Sequence, residues 1–530
     1  MKGMQPVLTA QAQREADRLT VAEFGLPGLT LMETAGRAAA ANIGEAMHPI
    51  AGKHVGIVAG KGNNGGDGLV IARVLHAKGA KVRVWMAGGI EEMPPDAAHN
   101  RKLLEAIASQ APEESIAIGP LEGVLESQAD VFVDALLGTG LKRTLRPRLQ
   151  HVVKHLNTQP APVVAVDIPT GLDADTGKVL GQAIQADFTV TMGTLKPGHL
   201  FDAGPVCTGR VIPVDIGIPP HILLHTQRSY GCTWYSMDAG VRHLLPARAP
   251  DAHKYSAGMV LAIGGSSGLT GAAVMASQAA ARAGAGYVTC ATHASVAPVL
   301  AANLTAVATV SLPETTPGDL DPGAALTALA GPLRKAKALL VGPGLGRGSG
   351  TQDFVCTLLR TSTLPAVVDA DGLNSWIGRT HDLARSPQGR WIMTPHAGEL
   401  ARLTGDASIS DRLHTARTWA RRWNAVLIVK GMPSVVGTPD GEVFVCGAGN
   451  SALATAGTGD VLSGICAGLL AQGLSPKEAA VAALHLGGRC ADHYCRDRAA
   501  ESMTATDMLT VLPRVLKLLR PEPQQHASVW

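Results

Sequence analysis

Short apolar runs alternate with helix-length segments along most of the chain, and this alternation constrains its fold more than any other feature. In the first half, such runs occupy residues 54–60, 82–86, 131–135, 163–167, 189–192 and 211–214. Strands that are apolar throughout, with a helix between each and the next, are typical of a parallel sheet covered by helices on both faces. The pattern therefore predicts an α/β fold for the first half.

The alternation weakens between about Pro219 and Pro250, a polar stretch, and then resumes. Val435–Val436 and Val443–Val445 flank a turn sequence and predict a β-hairpin. The halves share no motif, so we expect two fused α/β domains, residues 1–225 and 235–520, and a loosely held polar tail from Pro521. The strand-like runs of the second half are residues 259–263, 338–341, 366–369, 391–393 and 426–429.

Charge and cysteine usage exclude several classes of function. The formal net charge is only +3 and is evenly spread, which argues against a nucleic-acid partner. The N terminus lacks the apolar core of a signal peptide, and the apolar stretch 461–474 is too short to span a bilayer. The 8 cysteines form no CxxC pair, and we expect Cys490 and Cys495 to pack within a helix and not to bind zinc. A cytoplasmic protein without a membrane partner is the simplest interpretation.

The segment Gly60–Gly68 follows a predicted strand and opens a predicted helix, which we expect over Gly68–Lys78. Its glycines let a ligand approach the backbone, and the N–H groups at the helix start can hold an anion such as a pyrophosphate. A tight strand-to-helix turn would explain the glycines alone. The polar residues Asn63, Asn64 and Asp67 favour a ligand site, because α/β proteins bind ligands at the carboxyl edge of the sheet.

Two more predicted strands of this half end in aspartate, at Asp134 and Asp167. Either residue alone could cap a helix, but beside the glycine-rich segment they favour a shared site. Asn64, Asp134 and Thr170 offer oxygen ligands of low total charge, which suit a monovalent hard cation better than zinc or Mg²⁺.

These motifs, together with Leu31–Gly36, resemble the NAD(P)HX epimerase family over residues 1–225. Its members interconvert the R and S forms of hydrated NAD(P)H, called NAD(P)HX. The resemblance implies that potassium is held by Asn64, Asp134 and Thr170. The family usually has serine at the position of Thr170. Asp167 is expected beside the hydrated ring, where it could transfer a proton and stabilise a transient cation; Lys196 is a weaker candidate and reads more simply as a surface lysine. The implied dinucleotide-binding residues are Asn63, Asn64, Gly65, Gly66, Asp67, Gly138, Thr139, Gly140, Leu141, Lys142, Arg143, Thr144 and Asp167.

The segment Ala456–Gly464 places glycines and small residues directly before a long apolar stretch. The helix start predicted there could hold a transferring phosphoryl group, and Asp460 could accept the proton of an attacking hydroxyl. An N-cap aspartate is the alternative, but a cap does not require the preceding Gly-Thr-Gly. The arrangement resembles the ribokinase-like superfamily.

Five further segments, in order along the chain, resemble the NAD(P)HX dehydratase family over roughly residues 240–515. They are Ile263–Ser266 with Gly271–Ala272, Gly342–Gly346, Asp369–Leu373, Thr394–Glu399 and Lys430–Ser434. The resemblance implies that Ala272, Gly344, His396 and Asp460 line the hydrate site. The residues implied to border the nucleotide are Lys430, Gly431, Met432, Pro433, Ser434 and Gly459.

The sequence thus predicts a Rossmann-like αβα sandwich followed by a ribokinase-like α/β domain. The resemblances imply a bifunctional enzyme, an isomerase that epimerises the hydrate and a lyase that dehydrates the S form. Dehydration would proceed by phosphorylation of the ring hydroxyl and loss of phosphate, with Mg²⁺ and ADP, or else ATP, as donor. A ribokinase-like kinase of a small hydroxymethyl compound, fused to a non-catalytic dinucleotide-binding or scaffold domain, is the alternative. Superfamily relatives often assemble, so we expect a homo-oligomer.

Overall fold

The chain divides between Cys232 and Thr233 into two units. The computed structural model describes residues 2–112, 114–406 and 410–520. Pro6–Cys232 form the first unit, and the residues from Thr233 onward, together with those up to Gln5, form the second. The expectation for the tail from Pro521 concerns residues outside these ranges.

A parallel sheet of 7 strands is the framework of the first unit. The strands are β2 (His54–Ala59), β3 (Lys81–Met86), β4 (Ile116–Pro120), β5 (Val131–Ala135), β6 (Val163–Val166), β7 (Phe188–Met192) and β8 (Arg210–Val214). The short β1 (Gln5–Pro6) precedes them along the chain but belongs to the other sheet. Their spatial order is β4-β3-β2-β5-β6-β7-β8, and every neighbouring pair is parallel. The chain leaves β2 toward β3 and later returns to its other side as β5, so the ends of β2 and β5 border the switch point where such sheets bind ligands.

Within the described residues, eight α-helices accompany this sheet. They are α1 (Ala10–Ala22), α2 (Gly28–Ala46), α3 (Asn63–Ala77), α4 (Pro95–Ala108), α5 (Pro147–Leu156), α6 (Pro197–Leu200), α7 (Gly204–Cys207) and α8 (Pro220–Tyr230). Helix α3 begins five residues earlier than the sequence predicted, because Gly62, in an extended conformation, is its N-cap. Asn63 to Asp67 are therefore part of the helix and not of a loop.

The second unit is built on a mixed sheet of 11 strands. Its spatial order is β1-β9-β20-β19-β18-β17-β16-β15-β10-β11-β12, parallel from β18 to β12 and antiparallel at both β19 pairings, so the predicted hairpin is present. A separate small hairpin, Glu314–Leu320, is formed by β13 and β14. The strands are β9 (Thr233–Tyr235), β10 (Met259–Ile263), β11 (Tyr287–His293), β12 (Ala308–Leu312), β13 (Glu314–Thr316), β14 (Asp319–Leu320), β15 (Ala338–Val341), β16 (Ala366–Val368), β17 (Trp391–Met393), β18 (Val426–Val429), β19 (Val435–Gly437) and β20 (Val443–Val445).

The apolar stretch near residue 461 is the central helix of this unit, α17. A Cβ at Gly464 or Gly468 would collide with the backbone of the neighbouring helix α10, so the glycines permit close packing. None of the helices in the described ranges combines the length and hydropathy needed to cross a membrane. The helices are α9 (Asp238–Arg242), α10 (Thr270–Arg282), α11 (Ala297–Asn303), α12 (Pro322–Lys335), α13 (Ser349–Thr361), α14 (Asp371–Asn374), α15 (Ala397–Thr404), α16 (Arg412–Trp423), α17 (Thr458–Ala471), α18 (Pro476–Tyr494) and α19 (Ala505–Leu519).

The segment 219–250 is not the irregular stretch that the sequence suggested. It contains α8, β9 and α9. Pro220 stands at the start of α8, where its missing N–H has no cost, and Ile222 and Thr226 lie on the buried face. A helix with so narrow a buried face is easily read as a polar linker. Cys490 lies buried on α18, as expected, and no group of three or more His, Cys, Asp or Glu residues in the described ranges is arranged to hold a metal ion.

Candidate active sites

The glycine-rich turn after β2 lies at the switch point of the first sheet and is packed without spare room. A Cβ at Gly60 would overlap the carbonyl oxygen of Leu136, and one at Gly65 would overlap that of Gly60. No atom lies within 4 Å of a Cβ built at Gly62. The turn therefore presents the start of α3 to open space, as an anion site requires.

Asp134 and Thr170 meet below this turn. Asp134, at the end of β5, is fully buried, and the hydroxyl of Thr170 donates to its Oδ1 over 2.7 Å. The backbone N–H of Thr170 donates to Oδ2 over 2.7 Å, and that of Leu136 to Oδ1 over 3.2 Å. Burial raises the pKa of Asp134 to about 6 in spite of these hydrogen bonds. A nearby cation would offset the free-energy cost of burying the ionised carboxylate.

Asn64, on the first turn of α3, has a buried amide whose oxygen and nitrogen both lack a hydrogen-bond partner. A Cβ at Gly138 would lie 3.3 Å from the Cβ of Asn64, so the amide borders the loop after β5. Unpaired buried amides are rare because each costs free energy. Amide, carboxylate and hydroxyl oxygens of low total charge at this edge fit a monovalent cation.

Asp167 and Lys196 form a buried ion pair beside the same edge. The Lys196 Nζ, with no solvent exposure, donates to Asp167 Oδ1 over 2.6 Å, to Thr191 Oγ1 over 2.8 Å and to the Met192 carbonyl over 3.0 Å. The interpretation of Lys196 as a surface lysine was wrong. Burial alone would raise the pKa of Asp167, but the charge and hydrogen bond of Lys196 outweigh it and hold the pKa below its ordinary value.

Asp167 has a left-handed backbone, with φ of 65°, which is unusual for a residue other than glycine. The His199 ring lies against this strained residue. Its Nδ1 accepts from the N–H of Lys196 over 3.1 Å, so the proton resides on Nε2, which donates to the Asp167 carbonyl over 2.9 Å. Burial and the Lys196 charge lower the pKa of His199 to about 4. The neutral ring thus fixes the backbone that orients the Asp167 carboxylate.

Asp67 differs in charge from Asp167. Burial, together with the negative charges of Asp167 and Asp17, raises the pKa of Asp67 well above its ordinary value. Burial also raises the pKa of Asp17, on α1, to about 6. A protonated carboxyl and an ionised one thus share this part of the unit, which is typical of an acid–base pair. Sequence reasoning missed Asp17 and His199, because neither lies in a glycine-rich motif.

The loop after β5, Gly138–Thr144, runs along the surface. Gly140 faces open space, whereas Lys142 is anchored by Asp175 over 2.7 Å and by Asp173 over 3.4 Å. The backbone of this loop is therefore accessible while its lysine is partly neutralised.

In the second unit, Gly344, His396 and Lys430 follow the carboxyl ends of three parallel strands. Gly344 follows β15 and, with φ of 60°, approaches α10: a Cβ there would lie 3.2 Å from the Cβ of Ala272. His396 follows β17 and is the N-cap of α15, where its Nδ1 accepts from the N–H of Gly398 over 3.0 Å. Because Nδ1 accepts, Nε2 carries the proton; it lies 3.5 Å from Glu399 Oε2, and the His396 side chain is 56% exposed, so a ligand can still reach the ring.

Asp460 stands at the third residue of α17, whose N-cap is Gly457 with φ of 90°. The N-cap interpretation of Asp460 was therefore wrong. Burial, then the charge of Asp369, raises the pKa of Asp460 to about 7, with Lys430 opposing. A carboxyl that is half ionised near neutral pH at a helix N-terminus suits a general base.

Lys430, after β18, pairs with Asp369, after β16, over 3.0 Å. Burial by itself would lower the pKa of Lys430, but the charge and hydrogen bond of Asp369 outweigh burial and raise this pKa. A Cβ at Gly459 would lie 3.1 Å from the Lys430 Nζ, so the ammonium group borders the start of α17. The sequence analysis named Asp369 only as part of a family-like segment and did not assign it to the site.

The segment Lys430–Ser434 is a tight turn. The Ser434 hydroxyl accepts from the N–H of Gly431 over 3.1 Å and donates to its carbonyl over 2.9 Å. Arg412 Nη1 donates to the Met432 carbonyl over 2.6 Å, and Met432 is 65% exposed. An exposed apolar side chain above an ordered turn is suited to contact a flat ring.

Comparison with known proteins gives each unit a class. A family model described as NAD(P)H-hydrate dehydratase matches residues 260–514, and one described as YjeF-related protein N-terminus matches residues 28–198. The prediction of two α/β units is confirmed.

Full-length relatives define the family. The bifunctional NAD(P)H-hydrate repair enzyme Nnr of Salinibacter ruber is 49% identical over 519 residues, 96% of each chain. The protein of the same name from Moorella thermoacetica is 40% identical over 527 residues, 97% of each chain. The chain belongs to the family of bifunctional NAD(P)H-hydrate repair enzymes. Among solved structures, the ADP/ATP-dependent NAD(P)H-hydrate dehydratase of Bacillus subtilis, co-crystallised with ATP and Mg²⁺, is 29% identical, with a TM-score of 0.45 over 54% of this chain and 98% of that one.

Proposed function

We propose that this chain repairs hydrated NADH and NADPH, the first unit by epimerising R- and S-NAD(P)HX and the second by dehydrating S-NAD(P)HX with a nucleotide as phosphoryl donor. The observation that carries this proposal is the position of Asp460. Its carboxyl stands at the open N-terminus of a central helix, with a pKa of about 7, beside the buried Lys430–Asp369 pair. Membership of the family adds the substrate class.

In the second unit, the N–H groups at the start of α17 hold the transferring phosphoryl group, and Lys430 offsets its charge. Asp460 accepts the proton of the hydrate's ring hydroxyl as that oxygen attacks the terminal phosphorus. The lone pair of the ring nitrogen then expels phosphate and leaves an iminium cation, and loss of a proton from the adjacent ring carbon restores the double bond. A hydroxyl is a poor leaving group and phosphate a good one, so the phosphorylated product is unstable.

The substrate of this unit is a magnesium–nucleotide complex, with ADP favoured over ATP as the donor. We assign the hydrate to a pocket bordered by Ala272, Gly344 and His396, and the nucleotide to the Lys430–Ser434 turn with Gly459. The adjacency of Gly344 to Ala272 and of Gly459 to Lys430 supports these assignments.

In the first unit, Asp67 protonates the hydroxyl of the hydrated carbon, which leaves as water while the ring nitrogen donates its lone pair. The ionised Asp167 stabilises the resulting cation. Water then adds to either face and returns a proton to Asp67, which regenerates the catalyst and scrambles the configuration. The opposite charge states of the two carboxyls support this division of roles. The dinucleotide is assigned to Asn63–Asp67 and Gly138–Thr144.

We assign a potassium site to Asn64, Asp134 and Thr170. The unpaired amide of Asn64 and the buried carboxylate of Asp134 support it. When bound, the ion supplies positive charge that favours the ionised form of Asp134. The three residues would thereby order the loop that receives the pyrophosphate.

Incubation of the purified full-length chain with mixed R,S-NAD(P)HX and either ADP or ATP tests the proposal. The reduced-nicotinamide absorbance should recover completely with the preferred nucleotide and Mg²⁺. A nucleotide-dependent kinase activity on hydroxymethyl compounds, with no recovery of NAD(P)H, would instead support the alternative of a small-molecule kinase. A homo-oligomer in the cytoplasm stays a prediction, which light scattering and cell fractionation can check.

A further inference from the structure

His293 ends strand β11 in the interior of the second unit, outside every motif that the proposed mechanism uses. Its ring is fully buried. Nδ1 lies 3.0 Å from Glu314 Oε1, and Nε2 lies 2.9 Å from the carbonyl oxygen of Leu345. A histidine therefore connects the small hairpin Glu314–Leu320 to the glycine-rich loop that carries Gly344.

The Leu345 carbonyl has no proton to give. Burial opposes ionisation of Glu314, but the hydrogen bonds from Gly318 and Ser295 outweigh it and hold the pKa of this carboxyl below its ordinary value, so Glu314 is an acceptor too. A neutral imidazole carries one N–H and one lone pair, so either tautomer would place a lone pair against an oxygen. Only a ring that is protonated at both nitrogens satisfies the carboxylate and the carbonyl together. The geometry thus demands a buried imidazolium paired with the Glu314 carboxylate.

The two partners are themselves fixed. Glu314 also accepts from the N–H of Ser295 over 2.7 Å, from the Ser295 hydroxyl over 3.0 Å and from the N–H of Gly318 over 2.6 Å. On the other side, Asp371 accepts from the N–H of Gly346 over 3.0 Å. The loop Gly342–Gly346 is consequently held from two directions, by His293 at the Leu345 carbonyl and by Asp371 one residue later.

A second carboxylate facing this ring is that of Asp319, on β14 of the same hairpin. It accepts from the N–H groups of Gly350 and Thr351 at the start of α13. These hydrogen bonds, together with the His293 charge, outweigh burial and hold the pKa of Asp319 below its ordinary value. The hairpin is therefore anchored at both of its strands, which makes Glu314 a firm support for the imidazolium.

We propose that His293, protonated at both ring nitrogens, is a positioning residue of the dehydratase that fixes the Leu345 carbonyl and thereby the Gly344 backbone against the hydrate. This inference rests on the proposed function of the second unit. The residue does not touch the hydrate. It acts through the loop, so its loss should weaken hydrate binding and leave the nucleotide turn unaffected.

The test compares His293→Gln with His485→Gln in the full-length chain. His485 is also buried and hydrogen-bonded, to Ser236 and Asp238, but it lies on α18 and serves as the control for general destabilisation. A glutamine at 293 cannot donate toward both acceptors at once. The KM for S-NAD(P)HX should rise about tenfold in His293→Gln, in line with the loss of a charge-assisted hydrogen bond, with the KM for ADP unchanged. His485→Gln should leave both KM values unchanged.

Two further measurements test the inference even if His293→Gln fails to fold. Glu314→Gln should raise the KM for the hydrate in the same direction, and nitrogen-15 NMR of ring-labelled histidine should show two protonated nitrogens for the His293 of the wild type. A His293 ring with one proton, or an unchanged KM for the hydrate in a folded variant, would overturn the inference. Absence of dehydration by the wild type would instead refute the proposed function, while the NMR result would still decide the charge of the ring.

Discussion

The rate of dehydration should rise with pH through about 7, because Asp460 must be ionised to accept a proton. Burial and the Asp369 charge raise the pKa of this carboxyl to about 7. With that pKa, roughly a tenth of the carboxyl is ionised at pH 6 and roughly nine-tenths at pH 8, so kcat/KM should increase about tenfold across this range.

Two substitutions test the origin of this pH dependence. Asp460→Asn removes the base, so kcat should fall by about 10²–10⁴-fold and the rise with pH should disappear. Asp369→Asn removes a negative charge that raises the pKa of Asp460 and frees Lys430 to approach it. Both changes lower the pKa of Asp460, so the rise should move to lower pH.

The assay follows recovery of reduced-nicotinamide absorbance at saturating nucleotide between pH 5.5 and 9, with the thermal denaturation of the same preparations as the control for folding of the second unit. The assignment of Asp460 as the base would be refuted if Asp460→Asn dehydrated the hydrate at a near-normal rate. A shift of the Asp369→Asn profile to higher pH would refute the electrostatic reasoning.

Three other substitutions test the first unit and its packing. Lys196→Met should raise the pKa of Asp167, so that epimerisation at pH 7 falls and its acidic limit moves to higher pH; an unchanged pH profile would contradict the role of the ion pair. Asp134→Ala should weaken hydrate binding by the epimerase and abolish any response to potassium, with dehydration unchanged, and epimerisation indifferent to potassium in the wild type would exclude the ion site. Gly65→Ala should lower the free energy of unfolding by about 1–3 kcal/mol, because its Cβ overlaps a carbonyl oxygen, whereas Gly44→Ala, on the open side of α2, should not; equal denaturation midpoints would contradict this packing.

The alternation of apolar runs predicted the strands whose residues are uniformly apolar, such as β2 and β15. It missed β11, because Thr289 and Thr292 interrupt the run, although both are buried in the structure. In the amino-acid sequence a threonine counts as a polar residue, and only its neighbours in the folded structure show that it faces the core.

The motifs located both candidate sites but not the groups that control their charge. Lys196 follows Thr194-Leu195 and precedes Pro197-Gly198, which reads as an exposed turn. Its burial depends on Asp167, contributed by a different strand. Asp17 lies on a helix far away in sequence, and its effect on the pKa of Asp67 arises from proximity in the folded chain. Such effects depend on distances that no local pattern encodes.

The short strand β1 borders β9 in the sheet of the second unit, although the whole of the first unit separates them along the chain. The ribosome therefore releases β1 long before its partner exists, and the edge of that sheet can be completed only late in synthesis. A gene designed to begin at Thr233 would yield a dehydratase whose β9 has an uncovered row of backbone N–H and C=O groups. Such an edge can pair with other chains and cause aggregation. The residues of β1 should therefore be kept with the second unit when the two activities are separated.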